Sequence, residues 1–116
     1  MSEVSNIIKF LSGKRFPLSD ETRLQSSIEE ELQRDGVIFK REFRLSPEDR
    51  IDFLIGRVGV EVKIKGGKLA IYRQVERYAQ RDAVDALILV TNVAMGMPEE
   101  INGKPVHVFN LGRAWL

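Results

Sequence analysis

The chain of 116 residues is 43% hydrophobic and 30% charged, the size and composition of one globular domain, 1–116, with a single core. A net charge of +1 supplies no global basic field, so any nucleic-acid binding must come from local patches. The absence of cysteine excludes disulfides and thiolate metal sites and fits a reducing, cytoplasmic setting, and a single histidine argues against a histidine zinc site or a Ser-His-Asp triad.

No apolar run reaches the ~18 residues of a membrane span, and the stretch Ile7-Ile8-Lys9-Phe10-Leu11 is too short and too interrupted for a signal sequence. The first 12 residues read as a short amphipathic helix ending near Gly13, with Pro17 marking the next boundary. Ser19 or Asp20 can cap a second helix that runs to about Asp35 and is stopped by Gly36. Leu24, Ile28 and Leu32 form its apolar stripe. At ~100° per residue, Glu21 falls within that stripe and Gln25 at its edge, while Glu30 points away. An inward glutamate is costly unless paired or ligating; the alternative is an N-terminal acid favoured by the helix dipole.

Val37 to Leu45 predicts a strand with Val37, Phe39 and Phe43 on one face, interrupted by Arg41. Glu42 and Arg44 read as an ordinary ion pair, and Ser46-Pro47-Glu48-Asp49 as a turn. Gly56-Arg57 then predicts a two-residue type II′ hairpin turn, pairing Ile55 with Val58, Phe53 with Val60 and Asp52 with Glu61. On strict alternation Asp52, Glu61 and Lys63 share one face, and Ile51, Phe53, Ile55, Val58, Val60, Val62 and Ile64 the other. Like charges directly opposite destabilise a hairpin. A hard divalent cation would remove that conflict; a solvated polar face with Lys63 as counter-ion is the plainer alternative.

Gly66-Gly67 separates the hairpin from a helix over about Leu69 to Asp82, marked by Ile71, Val75 and Ala79. On that helix Gln74 and Tyr78 are i, i+4 neighbours beside a stripe of Arg73, Arg77 and Arg81, with Lys65 and Lys68 just before it. The stripe is a solvated surface or, beside an acidic site, a phosphate track; Glu76 and Asp82 dilute it. Ala86 to Thr91 reads as a strand buried on both faces. A loop with Gly96 and Pro98 leads to a last strand around Val106 to Asn110, with His107 outward. The connection from Val62 to Leu87 is long enough for a parallel crossover, so an α/β fold with a mixed central sheet flanked by helices is expected.

Ile51-Asp52, a spacer, then Glu61-Val62-Lys63 resembles the PD-(D/E)XK nuclease signature, on the same αβββαβ order. Ile51 stands where the motif has proline. Gln74-Val75-Glu76-Arg77-Tyr78 resembles the Gln-x-x-x-Tyr element of RecB-like and lambda-exonuclease-like members, and Glu21-x-x-x-Gln25 resembles the acidic and glutamine positions of VRR-Nuc-type and phage nucleases. These elements span about residues 20–91 and leave the first helix and the last strand peripheral. The resemblance implies a restriction-endonuclease-like core and a Mg2+- or Mn2+-dependent DNA endonuclease. Asp52, Glu61 and the Val62 carbonyl would hold the metal, with Glu21 directly or through water. Lys63 would act on the attacking water or the developing charge, and Gln74 and Tyr78 would position substrate or lysine. Gln25, Lys65, Lys68, Arg73, Arg77 and Arg81 would contact DNA. Compact members of this superfamily act as symmetric dimers on branched DNA such as Holliday junctions or flaps. A homodimer is therefore expected, with the first helix and the apolar end at residues 114–116 as candidate surfaces. A catalytically idle DNA-binding or assembly module is the alternative.

Overall fold

In the computed structural model, which describes residues 3–114 (side chains to residue 112), one six-stranded mixed sheet runs in the order β1-β2-β3-β4-β6-β5. Its strands are β1 (Lys40–Arg44), β2 (Arg50–Ile55), β3 (Val58–Lys63), β4 (Ala86–Thr91), β5 (Glu100–Ile101) and β6 (Lys104–Asn110). The helices are α1 (Glu3–Ser12), α2 (Glu21–Arg34), α3 (Lys68–Tyr78) and the single turn α4 (Leu111–Ala114). The first three strands form an antiparallel meander, and β3, β4 and β6 are mutually parallel. From α2 to β4 the order is αβββαβ, as expected. Trp115 and Leu116, part of the expected dimer surface, lie outside the described residues.

Each face of the sheet carries its own apolar layer. Ile7, Leu11, Leu24, Ile28 and Leu32 of α1 and α2 pack on Phe53, Val60, Val62, Ile88 and Val90. On the other face Ile71, Val75 and Tyr78 of α3 pack on Leu54, Leu87 and Leu89. Strand β4 alternates between the two layers and is buried throughout, which accounts for its uninterrupted apolar run. Among the described residues no helix is long and apolar enough to cross a membrane.

Asp20 caps α2 in extended backbone, its carboxylate accepting from Arg23 N at 2.8 Å. The hairpin turn also follows the sequence. Gly56 has φ +60° while Arg57 stays out of the left-handed region, as type II′ requires. The resulting register pairs Phe53 with Val60, Leu54 with Gly59 and Ile55 with Val58.

Several elements differ from expectation. Helix α3 ends at Tyr78; Gln80 N and Arg81 N donate to Arg77 O and Tyr78 O in a tightening turn, so Arg81 and Asp82 lie beyond it. Strand β1 starts only at Lys40, and Asn102-Gly103 makes a turn, both residues at positive φ, that pairs the short β5 with β6. Arg44 donates to Pro47 O, and Glu42 instead lies 3.7 Å from Arg41.

The largest departure is a slip of the pleat. Phe53 belongs to the α1/α2 layer, but Ile51 packs in the α3 layer with Leu54. Across the strand Phe39 packs with the first layer and Phe43 with the second. Both β1 and β2 therefore change face between the pairs Arg41–Phe53 and Phe43–Ile51. Glu42, between them on β1, sits at φ +50°, a strained conformation for a residue with a side chain. Asp52 is its counterpart on β2. Gly59 makes the slip possible: a methyl group there would run into Ile51 Cδ1 and lie 2.9 Å from Leu87 Cδ2.

Candidate active site

Beyond the Phe53–Val60 pair the β2–β3 ladder opens, and two carboxylates take over its hydrogen bonds. Val62 N donates to Asp52 Oδ2 at 2.8 Å, and Asp52 N donates to Glu61 Oε1 at 3.2 Å. Each acid is held by the backbone of the opposite strand. The expected face-to-face clash of Asp52 and Glu61 is thus replaced by a pair of carboxylates set between parting strands.

Burial makes that pair electrostatically costly. Glu61 is only 5% exposed. Desolvation, followed by the Asp52 charge, pushes its pKa up to about 8. Asp52 is also raised, by burial first, although Val62 N–H and a hydrogen bond from Glu61 pull it back. Burial and mutual repulsion therefore both oppose ionising the two acids together. Lys63 Nζ stands 3.7 Å from Glu61 Oε2 and is the nearest cation.

A polar relay from α3 reaches the same carboxylate. Gln74 Nε2 donates to Tyr78 Oη at 2.8 Å, and Tyr78 Oη has two acceptors for its single proton: Arg50 O at 3.0 Å and Glu61 Oε2 at 3.4 Å. Burial and the neighbouring Glu61 charge raise the phenol well above its ordinary range, so it remains protonated. The i, i+4 spacing of Gln74 and Tyr78 is what aims both groups at one point.

Glu21, in the first turn of α2, is half-buried and accepts from Ile64 N at 3.2 Å, one residue beyond β3. It therefore caps the strand end next to Lys63, and its charge reaches Asp52. Ser19, Asp20, Glu21, Lys63, Ile64 and Lys65 line a cleft of about 290 Å³ at this place. A larger groove of about 870 Å³ lies by Asn92, Met95, Met97 and His107, without a carboxylate or an ammonium group in its wall. His107 itself is exposed, as expected.

Hard divalent cations take oxygen ligands, and magnesium in particular is commonly held by one or two carboxylates plus water and substrate phosphate. Asp52 and Glu61 supply two carboxylates whose joint ionisation burial and mutual repulsion oppose. The Val62 carbonyl is a further oxygen on that side. Lys63 O turns to β4, accepting from Thr91 Oγ1 at 2.6 Å and Asn92 N at 3.2 Å. One residue back, Val62 directs its backbone groups to β2, as its N–H bond to Asp52 requires. The donor set therefore fits Mg2+ or Mn2+. Among the described residues no three Asp, Glu, His or Cys side chains converge as a metal cluster, so the fit rests on the pair and the carbonyl.

The residues expected to contact DNA divide into two groups. Arg77 Nε and Arg81 Nη2 bond the two oxygens of Asp49, at 3.2 and 3.0 Å, and Asp49 is only 3% exposed. Gln25 Oε1 accepts from Arg41 Nη2 at 2.7 Å. Lys65, Lys68 and Arg73 are exposed and make no ion pair among the described residues. Two residues with organising roles, Arg41 and Asp49, were not singled out by the sequence. Arg41 stacks 4.7 Å from the centre of the Phe53 ring and donates to Gln25 and to Asp52 O, tying α2 to the strand that carries Asp52. Its signal was the charge that interrupts an apolar strand face. Asp49 offered no signal beyond its place in a turn.

Compared with models of known protein families, with curated proteins and with solved structures, the chain matches none.

Proposed function

We propose that the chain is a metal-dependent DNA endonuclease with Asp52 and Glu61 at its centre. The observation that carries this reading is the pair of carboxylates, Glu61 buried and Asp52 half-buried, held between parting strands beside Lys63. Such a pair is unfavourable for folding alone and becomes favourable when a hard cation neutralises both charges. When bound, Mg2+ or Mn2+ would polarise the scissile phosphate and lower the pKa of a bound water.

The chain's own groups supply the rest. Asp52, Glu61 and the Val62 carbonyl would hold the cation, and Glu21 fixes the end of β3. Lys63 orients the water or stabilises charge developing on the phosphate. Tyr78, oriented by Gln74, holds the second Glu61 oxygen in place. The backbone bonds to Asp52 and Glu61 set both acids before substrate arrives, so little reorganisation is left for the reaction. A symmetric dimer presenting two such sites to a branched DNA is the assembly this reading favours. The groove of α1 lined by Phe10 and Val37, with Ile38 almost fully exposed nearby, supports that side as the contact between copies.

The second reading, a catalytically idle nucleic-acid-binding or assembly module, draws support from a cluster with two acids and no third among the described residues. The test is cleavage of labelled linear duplex, single strand, flap and four-way junction with magnesium, manganese or EDTA, with Lys63→Ala in parallel. Metal-dependent cutting that the variant loses supports the endonuclease. Binding without cutting by the intact protein supports the idle module.

A further inference from the structure

Leu69 belongs to neither apolar layer of the sheet. The buried stripe of α3 is Ile71, Val75 and Tyr78, and Leu69 lies off it, 59% exposed in the first turn. It is one of two large apolar side chains so exposed among the described residues. Its neighbours are cations that make no ion pair among the described residues. Lys65 and Lys68 precede it, and Arg73 follows one helical turn later on the same side. The arginines further along α3 differ, because Asp49 engages both Arg77 and Arg81. Free positive charge on this side is therefore concentrated at the start of α3. That corner continues into the candidate site, since Lys65 lines the same cleft as Lys63 and Glu21.

We propose that this corner receives an unpaired stretch of the nucleic-acid substrate, with Lys65, Lys68 and Arg73 on its phosphates and Leu69 against the face of an unstacked base. The inference rests on the endonuclease reading and narrows its substrate to DNA with unpaired nucleotides beside the cut, such as a flap or single strand. The physical requirements are those of single-strand recognition, a cationic track combined with a flat or apolar contact for each base. Leucine is among the side chains that wedge between bases and unstack them. A continuous duplex offers the lysines the same phosphates but leaves Leu69 facing a charged backbone, so selectivity falls on Leu69 and general affinity on the cations.

The test is equilibrium binding, in EDTA so that the DNA stays intact, of a labelled single strand and of a duplex of the same sequence, over a range of salt. Leu69→Ser is exposed enough to leave the fold unchanged. It should weaken single-strand binding about tenfold, the loss of one buried leucine contact, and leave duplex binding and the salt slope as they were. The double variant Lys65→Ala/Lys68→Ala should weaken both DNAs and flatten the single-strand salt slope by about 1.4. Equal loss on both DNAs with Leu69→Ser, or no loss on either, overturns the role of Leu69. If the double variant also leaves both DNAs unaffected, the whole corner is excluded. Cleavage by the wild-type protein with an indifferent Leu69→Ser removes this inference alone, whereas a wild-type protein that binds neither DNA removes the endonuclease reading with it.

Discussion

The two ends of the β2–β3 hairpin hold the same kinds of residue in opposite electrostatic conditions. At the turn end Arg57 pairs with Asp85 in open solvent at 2.8 Å, and the arginine holds the carboxyl below its ordinary value. At the open end Lys63 stands by Glu61, yet Glu61 and Asp52 are both raised, because burial outweighs one cation 3.7 Å away. The turn end is what a fold needs, a closed ladder and a solvated ion pair. The open end costs stability and keeps acids where a ladder would otherwise continue. That difference is why the proposed site is placed at the open end.

The largest effects expected from breaking the comparison are on activity. Asp52→Asn should reduce metal-dependent cleavage to background, and Lys63→Ala should lower it by about 100-fold or more, with far-ultraviolet circular dichroism unchanged for both. Should Asp52→Asn unfold the protein instead, the carboxylate is structural. Next come the residues that shape the open end. Asp49→Ala leaves two arginines without their buried partner and should cost about 2 kcal/mol in urea unfolding, less than a fully buried pair because the arginines are partly exposed. Gly59→Ala should cost about 1–3 kcal/mol by driving Ile51 off the α3 layer.

The pH dependence of stability separates the two ends by sign. Glu61 is raised from 4.5 to about 8, so the folded protein binds the extra proton across that window. Its contribution is fully present below pH ~4.5 and is lost as pH rises through about 8; Asp52 acts in the same direction. In EDTA the melting temperature should therefore fall by several degrees between mildly acidic and mildly alkaline solution, and Glu61→Gln should remove most of that slope. Asp85 has the opposite sign, its contribution being present at neutral pH and lost in acid. Smallest of all, Asp85→Asn should leave both activity and the neutral-pH melting temperature unchanged within error, because the pair is exposed.

The same contrast explains what the sequence revealed. A two-residue turn fixes its own register, so Gly56-Arg57 was sufficient to pair Phe53 with Val60 and to bring Asp52 towards Glu61. Gln74 and Tyr78 were legible because i, i+4 geometry is local. The slip at Glu42 and Asp52 was not, since alternation assumes an unbroken pleat and assigns Ile51 to the face of Phe53. The packing of Ile51 over Gly59, the split of Phe39 and Phe43 between layers and the positive φ of Glu42 reveal the change. The engagement of Arg77 and Arg81 was hidden for another reason. Their acid lies 28 and 32 residues away in a turn, where a helical stripe of arginines carries no trace of it. Strand β5 was missed because two residues carry no periodicity.

A divalent cation between Asp52 and Glu61 would displace the proton that burial favours on this pair. Titration of the protein with Mn2+ near neutral pH, followed by calorimetry in two buffers of different ionisation enthalpy, measures binding and proton release together. The expected result is a saturable site in the wild-type protein that releases about one proton and is lost in Asp52→Asn. A folded wild-type protein that binds no Mn2+, or binds it equally well without Asp52, would contradict it.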